Sequence, residues 1–161
     1  MIKPLLLAAL ALALLPALAA AEEEDEGHVA ERGDIRVVHA WARATDGPEG
    51  VLFLEIESQG AADRLLGATS EAAAEIAVHG TVLEDGASAS RPLGPLDIPA
   101  GGRFALEPDA VFLKLTGLKE PLREGDHLDL ELRFEQAGTL EVEAAVEAAD
   151  ARQHGHAGHA H

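Results

Sequence analysis

Leu128-Asp129-Leu130-Glu131-Leu132-Arg133-Phe134 puts an apolar residue at every second position, and Leu140-Glu141-Val142-Glu143 repeats the pattern after Gln136-Ala137-Gly138. A side-chain period of two belongs to an extended strand with one buried and one wet face, and an α-helix cannot satisfy it. Two such runs joined by a short Gly-containing segment read as antiparallel neighbours.

Shorter runs of the same kind fill the chain. Ile35–Trp41 predicts a strand with Ile35, Val37 and His39 on one face and Trp41 as a packing residue. Val51–Glu57 sets Leu52, Leu54 and Ile56 inward and Val51, Phe53, Glu55 and Glu57 outward. Asp63–Thr69, Arg103–Leu106 and Val111–Thr116 are further strands, while Ser70–Ala74 fits either a helical turn or a loop. Ile76–Val82 and Ala87–Leu93 flank Glu84-Asp85-Gly86, and Asp-Gly between β-prone runs marks a hairpin. Turn clusters at 45–48 and 99–102 separate the rest, and no segment carries a long helical stripe. Many short strands between turns predict an all-β single domain, a Greek-key β-sandwich or barrel.

The ends have another character. Lys3 precedes a Leu/Ala run from Leu5 to Leu15, and Ala17-Leu18-Ala19 and Ala19-Ala20-Ala21 offer small-residue cleavage sites. This is the pattern of an export signal, too short to span a bilayer. The expected organisation is a signal peptide over 1–21, an acidic flexible leader over 22–34 containing His28, a domain over 35–148, and a disordered His-rich tail over 149–161. After signal cleavage no membrane association is expected, and the periplasm is the predicted compartment.

With 29 acidic and 12 basic residues the formal charge is −17, which argues against nucleic acid and anionic lipid and suits cationic partners, metal ions among them. There is no cysteine, so neither disulfides nor thiolate ligands are available. No nucleophile triad, phosphate loop or dinucleotide motif is present, so a catalytic role is not expected. The tail instead concentrates His154, His156, His159 and His161 among glycines and alanines. Imidazoles on a pliable spacing suit Cu(II), Zn(II) and Ni(II), and because they bind deprotonated, affinity should fall below about pH 6.5.

His39-Ala40-Trp41-Ala42-Arg43-Ala44-Thr45, Ala62-Asp63-Arg64-Leu65-Leu66-Gly67-Ala68, Val78-His79, Glu84-Asp85-Gly86, Arg91-Pro92, Ile98-Pro99-Ala100-Gly101-Gly102 and Gly117–Asp126 follow one another in a recognisable order. In these pieces the chain resembles the periplasmic copper chaperones of the PCu(A)C family. The resemblance implies a cupredoxin-like β-sandwich, copper as cargo, and a copper-accepting respiratory oxidase subunit or its assembly factor as partner. It also implies a Cu(I) site of a His, often a Met two residues on, a Met eleven residues after that His, and His-x-Met twenty-two residues after this second Met. Counted from His79, those positions hold Thr81, Ser90, Phe112 and Lys114, so His79 alone is kept. The only methionine is Met1, in the signal segment. Cu(I) prefers soft sulfur donors, so the family's Cu(I) site is not expected to form. Metal capture is then expected at His154, His156, His159 and His161, with His79 as a body-side candidate, and Cu(II) as the ion. Zinc or nickel buffering and a metal-free, monomeric interaction module docking a basic partner are the alternatives.

Overall fold

The computed structural model of the protein describes residues 29–155, and no α-helix forms among them. In chain order the strands are β1 Val29–Arg32, β2 Ile35–Arg43, β3 Glu49–Ser58, β4 Asp63–Thr69, β5 Ala73–Glu84, β6 Ala87–Pro92, β7 Leu96–Ile98, β8 Arg103–Leu106, β9 Val111–Leu118, β10 His127–Phe134 and β11 Gly138–Glu147. Seven of them close a ring, β2-β11-β10-β4-β5-β9-β3 and back to β2, while β1, β6, β7 and β8 are appended at its margins. The link from β4 to β5 rests on the single pair Ala68↔Ile76, the thinnest point of the ring. β11 runs parallel to β2, with Ala145↔Trp41 and Val146↔Ala42, a pairing that needs a crossover rather than a hairpin. The domain is thus an all-β sandwich.

Period-two patterning explains the interior. Leu128, Leu130, Leu132 and Phe134 of β10 meet Leu52, Leu54 and Ile56 of β3 and Leu113 and Leu115 of β9 in one apolar core. Each such side chain contributes about 1.5–3 kcal/mol when fully buried, and with no cysteine present this core holds the domain without disulfides. The β5–β6 hairpin closes through Asp85 and Gly86 at φ 52° and 81°, the two positive values that a type I′ turn requires.

Several boundaries differ from the sequence reading. The leader becomes a strand from Val29, because β1 pairs with β2 from Arg32↔Ile35 to Val29↔Val38 across a turn at Gly33-Asp34. Residues 70–72 form a turn rather than a helix, and β5 begins at Ala73. The tail does not leave the body at 149, since residues 149–155 remain against it. The signal segment, His28, His156, His159 and His161 lie outside the described residues.

The largest departure is in β2. Its register against β3 steps from Val38↔Glu55 to Trp41↔Phe53, three residues against two, which is a β-bulge. His39 sits in the bulge at φ 54°, exposed, rather than inward beside Ile35 and Val37. The extra residue reverses the alternation: Ala40 and Ala42 join the core and Trp41 turns to the outer face. There Trp41 meets Phe53, which is buried and not on a wet face as alternation alone predicts.

Candidate functional site

Four strands present a row of rings on this outer face. Trp41 of β2 packs against Phe53 of β3 at a tilt of 41° with centroids 4.5 Å apart, Phe53 lies 6.4 Å from Phe112 of β9, and Phe112 lies 6.1 Å from His79 of β5. Strand register fixes the order, since Trp41↔Phe53 and His79↔Phe112 are direct cross-strand partners. Such pairs are worth about 0.5–1.5 kcal/mol beyond their burial.

At the His79 end, the positions where the resemblance calls for copper ligands do converge. Thr81 pairs with Ser90 across the β5–β6 hairpin, His79 with Phe112 and Ala77 with Lys114 across β5–β9. Thr81, Ser90 and Phe112 line one hollow with Ser88 and Asp109. The chemistry there does not fit Cu(I). Two hydroxyls are hard, weak donors, Phe112 has none, and the Lys114 ammonium is held 3.1 Å from Glu49 Oε1. His79 is half-buried, and its Nδ1 has no hydrogen-bond partner. Burial, and then the Lys114 charge, push its pKa below the ordinary histidine value, so it stays neutral at pH 7.

At the Trp41 end, the segment after β11 folds back over the rings. Arg43 Nε donates to the Ala151 carbonyl at 2.7 Å while the Arg43 guanidinium stands 5.4 Å from the Phe53 centroid. Ala44 N donates to the Glu147 carbonyl at 2.8 Å, and Ala151 packs on the aromatic cluster. This strap carries His154 into the body, where it is 3 % exposed. Its Nε2 lies 3.7 Å from Glu147 Oε1, which also accepts from Gly155 N at 3.1 Å. His154, His39, Trp41, Glu55 and Asp109 line a cavity of about 390 Å³. Pro108 and Asp109 border both this cavity and the hollow at Thr81 and Ser90.

Of the imidazoles picked out in the sequence, His79 and His154 therefore lie at opposite ends of the ring row, and His156, His159 and His161 are outside the described residues. No three His, Asp or Glu side chains among the described residues are placed to hold a metal ion. Sequence reasoning passed over His39 as a ligand, because only the bulge brings it to the cavity that His154 lines.

Residues 35–146 match the family model described as "Putative lipoprotein LpqE-like". A curated relative, "Putative lipoprotein Lxx21020" of Leifsonia xyli subsp. xyli (strain CTCB07), is 32% identical over 114 residues, 70% of this chain and 69% of the relative. Among solved structures, the copper-bound PCuAC domain from PmoF2 superposes with a TM-score of 0.65 at 23% identity, over 75% of this chain and 98% of that domain. The apo PCuAC domain from PmoF1 gives 0.64 at 26% identity, over 75% and 99%. The strand architecture, the hairpin that carries His79 and the match over 35–146 lead to one conclusion: the chain belongs to the LpqE-like family, and it shares the cupredoxin-like β-sandwich fold of the PCuAC domains.

Proposed function

We propose that this is an exported, copper-handling chaperone-like protein whose metal capture has moved from the sandwich to the C-terminal histidines. One observation carries the reading. The ligand positions of the resembling family are still assembled, at His79, Thr81, Ser90, Phe112 and Lys114, yet they hold one donor worth the name. Donor chemistry that a copper carrier needs is supplied instead by His154, His156, His159 and His161, and neutral imidazoles suit Cu(II). Copper as cargo is supported by the copper-bound PmoF2 domain that shares the fold. Transfer to an oxidase subunit or its assembly factor is the role that the family resemblance favours. The relatives' lipoprotein names support an envelope location. No cysteine occurs in the 161 residues, however, so the thiol that would carry a thioether-linked lipid is not among them. The polypeptide is read as a carrier and not a catalyst.

Calorimetric titration of Cu(II) into the mature protein, with and without residues 153–161, tests the reading. The shortened form should lose most of the uptake; equal uptake by both forms would exclude the tail as the capture site. Metal content of protein isolated from its native envelope separates copper carriage from zinc or nickel buffering, which the same imidazoles would also allow.

A further inference from the structure

We propose that the outer edge of β6 is a self-association surface, through which two copies of this chain pair their β6 strands antiparallel about a two-fold axis at Ala89. This pairing is independent of where metal is captured.

β6 pairs with β5 alone, so among the described residues its other edge carries no partner strand. The hairpin decides which groups face that edge. Glu84 and Ala87 flank the two-residue turn as its first hydrogen-bonded pair, and pairs of the same kind recur at Val82↔Ala89 and Gly80↔Arg91. Two neighbouring bonds agree with this alternation. Thr81 N donates away from β6 to the Ala110 carbonyl at 2.8 Å, and Leu93 N donates inward to the Val78 carbonyl at 2.8 Å. The backbone groups of Ser88 and Ser90 therefore point outward, as does the carbonyl of Pro92, whose missing N–H is no loss to the hairpin.

Open edges are commonly protected by charge, proline, a bulge or brevity. β1 carries Glu31 and Arg32, β7 is three residues between Pro95 and Pro99, and β8 is four residues beginning at Arg103. Ala87-Ser88-Ala89-Ser90 has no such protection: its side chains are small and uncharged, and its pairing with β5 is regular. The strand also complements itself. With Ala89 opposite Ala89 of a second copy, Ser88 of each faces Ser90 of the other, and every outward N–H and C=O of both serines is paired. A shift of two residues would set Pro92 against Ser88 and leave the Ser88 carbonyl without a donor. In the favoured register Arg91 lies opposite Ala87 of the second copy, and Glu84 of that copy is next in the same row. Two strand spacings, about 10 Å between Cα atoms, bring the Arg91 guanidinium within reach of that carboxylate, once in each direction. Arg91 already pairs with Glu84 of its own chain, so the charges at this edge attract in a molecule of formal charge −17. Leu83, 78 % exposed beside Ser88, extends the row on the other face and gains partial cover from the second copy.

The chain has no cysteine, so single-cysteine variants read the register directly. In the proposed pair the two Ala89 Cα atoms lie about 4.5 Å apart, within disulfide range, whereas the two Ala87 Cα atoms lie about 14 Å apart. Diamide oxidation of the mature protein should therefore give about fivefold or more covalent dimer with Ala89→Cys than with Ala87→Cys or with Leu66→Cys on β4. Ser88→Pro, added to Ala89→Cys, removes an N–H that points away from β5, so the hairpin stays paired while cross-linking falls about fivefold or more. Sedimentation equilibrium of the unaltered mature protein should show a reversible dimer. Equal cross-linking at positions 87 and 89, no cross-linking with Ala89→Cys, or a strictly monomeric unaltered protein would each overturn the inference and leave the metal reading untouched.

Discussion

Asp63 is a buried carboxylate at the start of β4 that no apolar pattern explains. Its Oδ1 accepts from Arg64 N at 2.7 Å and Gln136 N at 2.8 Å, and its Oδ2 accepts from Ala137 N at 2.9 Å. It thereby satisfies the backbone of the turn between β10 and β11 from another strand. Burial raises its pKa, but the backbone N–H groups of Gln136, Arg64 and Ala137 outweigh that and hold it below the ordinary carboxylate value of 3.8. Asp63→Ala should cost about 2 kcal/mol, measured by urea unfolding, because it leaves three part-buried backbone donors without their acceptor. The pH dependence has a definite sign. A depressed native pKa stabilises the fold above the unfolded value, and the benefit disappears as pH falls below 3.8 through the native pKa. Asp63→Asn should flatten that part of the stability profile; a profile identical to wild type would contradict the assignment.

At the scale of elements, the β5–β6 hairpin and β9 carry the positions at which the family resemblance places copper ligands. The register His79↔Phe112 and Thr81↔Ser90 sets Thr81, Ser90 and Phe112 around one hollow, with Lys114 farther along β9 opposite Ala77. Introducing Ser90→Met, Phe112→His and Lys114→Met there should therefore create a Cu(I) site beside His79 holding about one ion per chain. Competition against a Cu(I) chelator reads this directly, and a folded triple variant that takes up no Cu(I) would show that these strands do not frame such a site. Strands such as β10 and β11 were visible in the sequence because each alternates against a single core. β7 was not: Leu96–Ile98 is three residues between Pro95 and Pro99, too short to show a period. The bulge at His39 was hidden for a different reason. A one-residue slip exists only relative to the partner strand, and nothing in Val38-His39-Ala40 marks it. The candidate site divided the same way: the altered positions could be counted out from His79, whereas the placing of His39 and His154 on one cavity depends on that slip and on the strap.

Across the whole molecule, the wet face of β10 and β11 sets Asp129 opposite Glu143 and Glu131 opposite Glu141. Like charges so placed work against the pairing, and the apolar residues on the reverse of the same strands outweigh them. The strap matters more for the site. Ala151 and Arg43 cover an aromatic cluster that would otherwise be open to water, and Trp41 is the only tryptophan in the chain. Truncation after Ala148 should shift Trp41 emission to longer wavelength and lower stability by about 2 kcal/mol through the lost hydrogen bond and packing. Truncation after Gly155 should leave both unchanged. Equal spectra for the two truncations would mean that the strap does not shield the cluster.

The central claim is that the sandwich no longer holds Cu(I) and that nitrogen donors at the C-terminus have taken over metal capture. It is tested most directly by titrating Cu(I), against a competing chelator, into the mature protein lacking residues 156–161. The account predicts no stoichiometric Cu(I) binding by that body; one tightly held Cu(I) per chain, lost on His79→Gln, would contradict it.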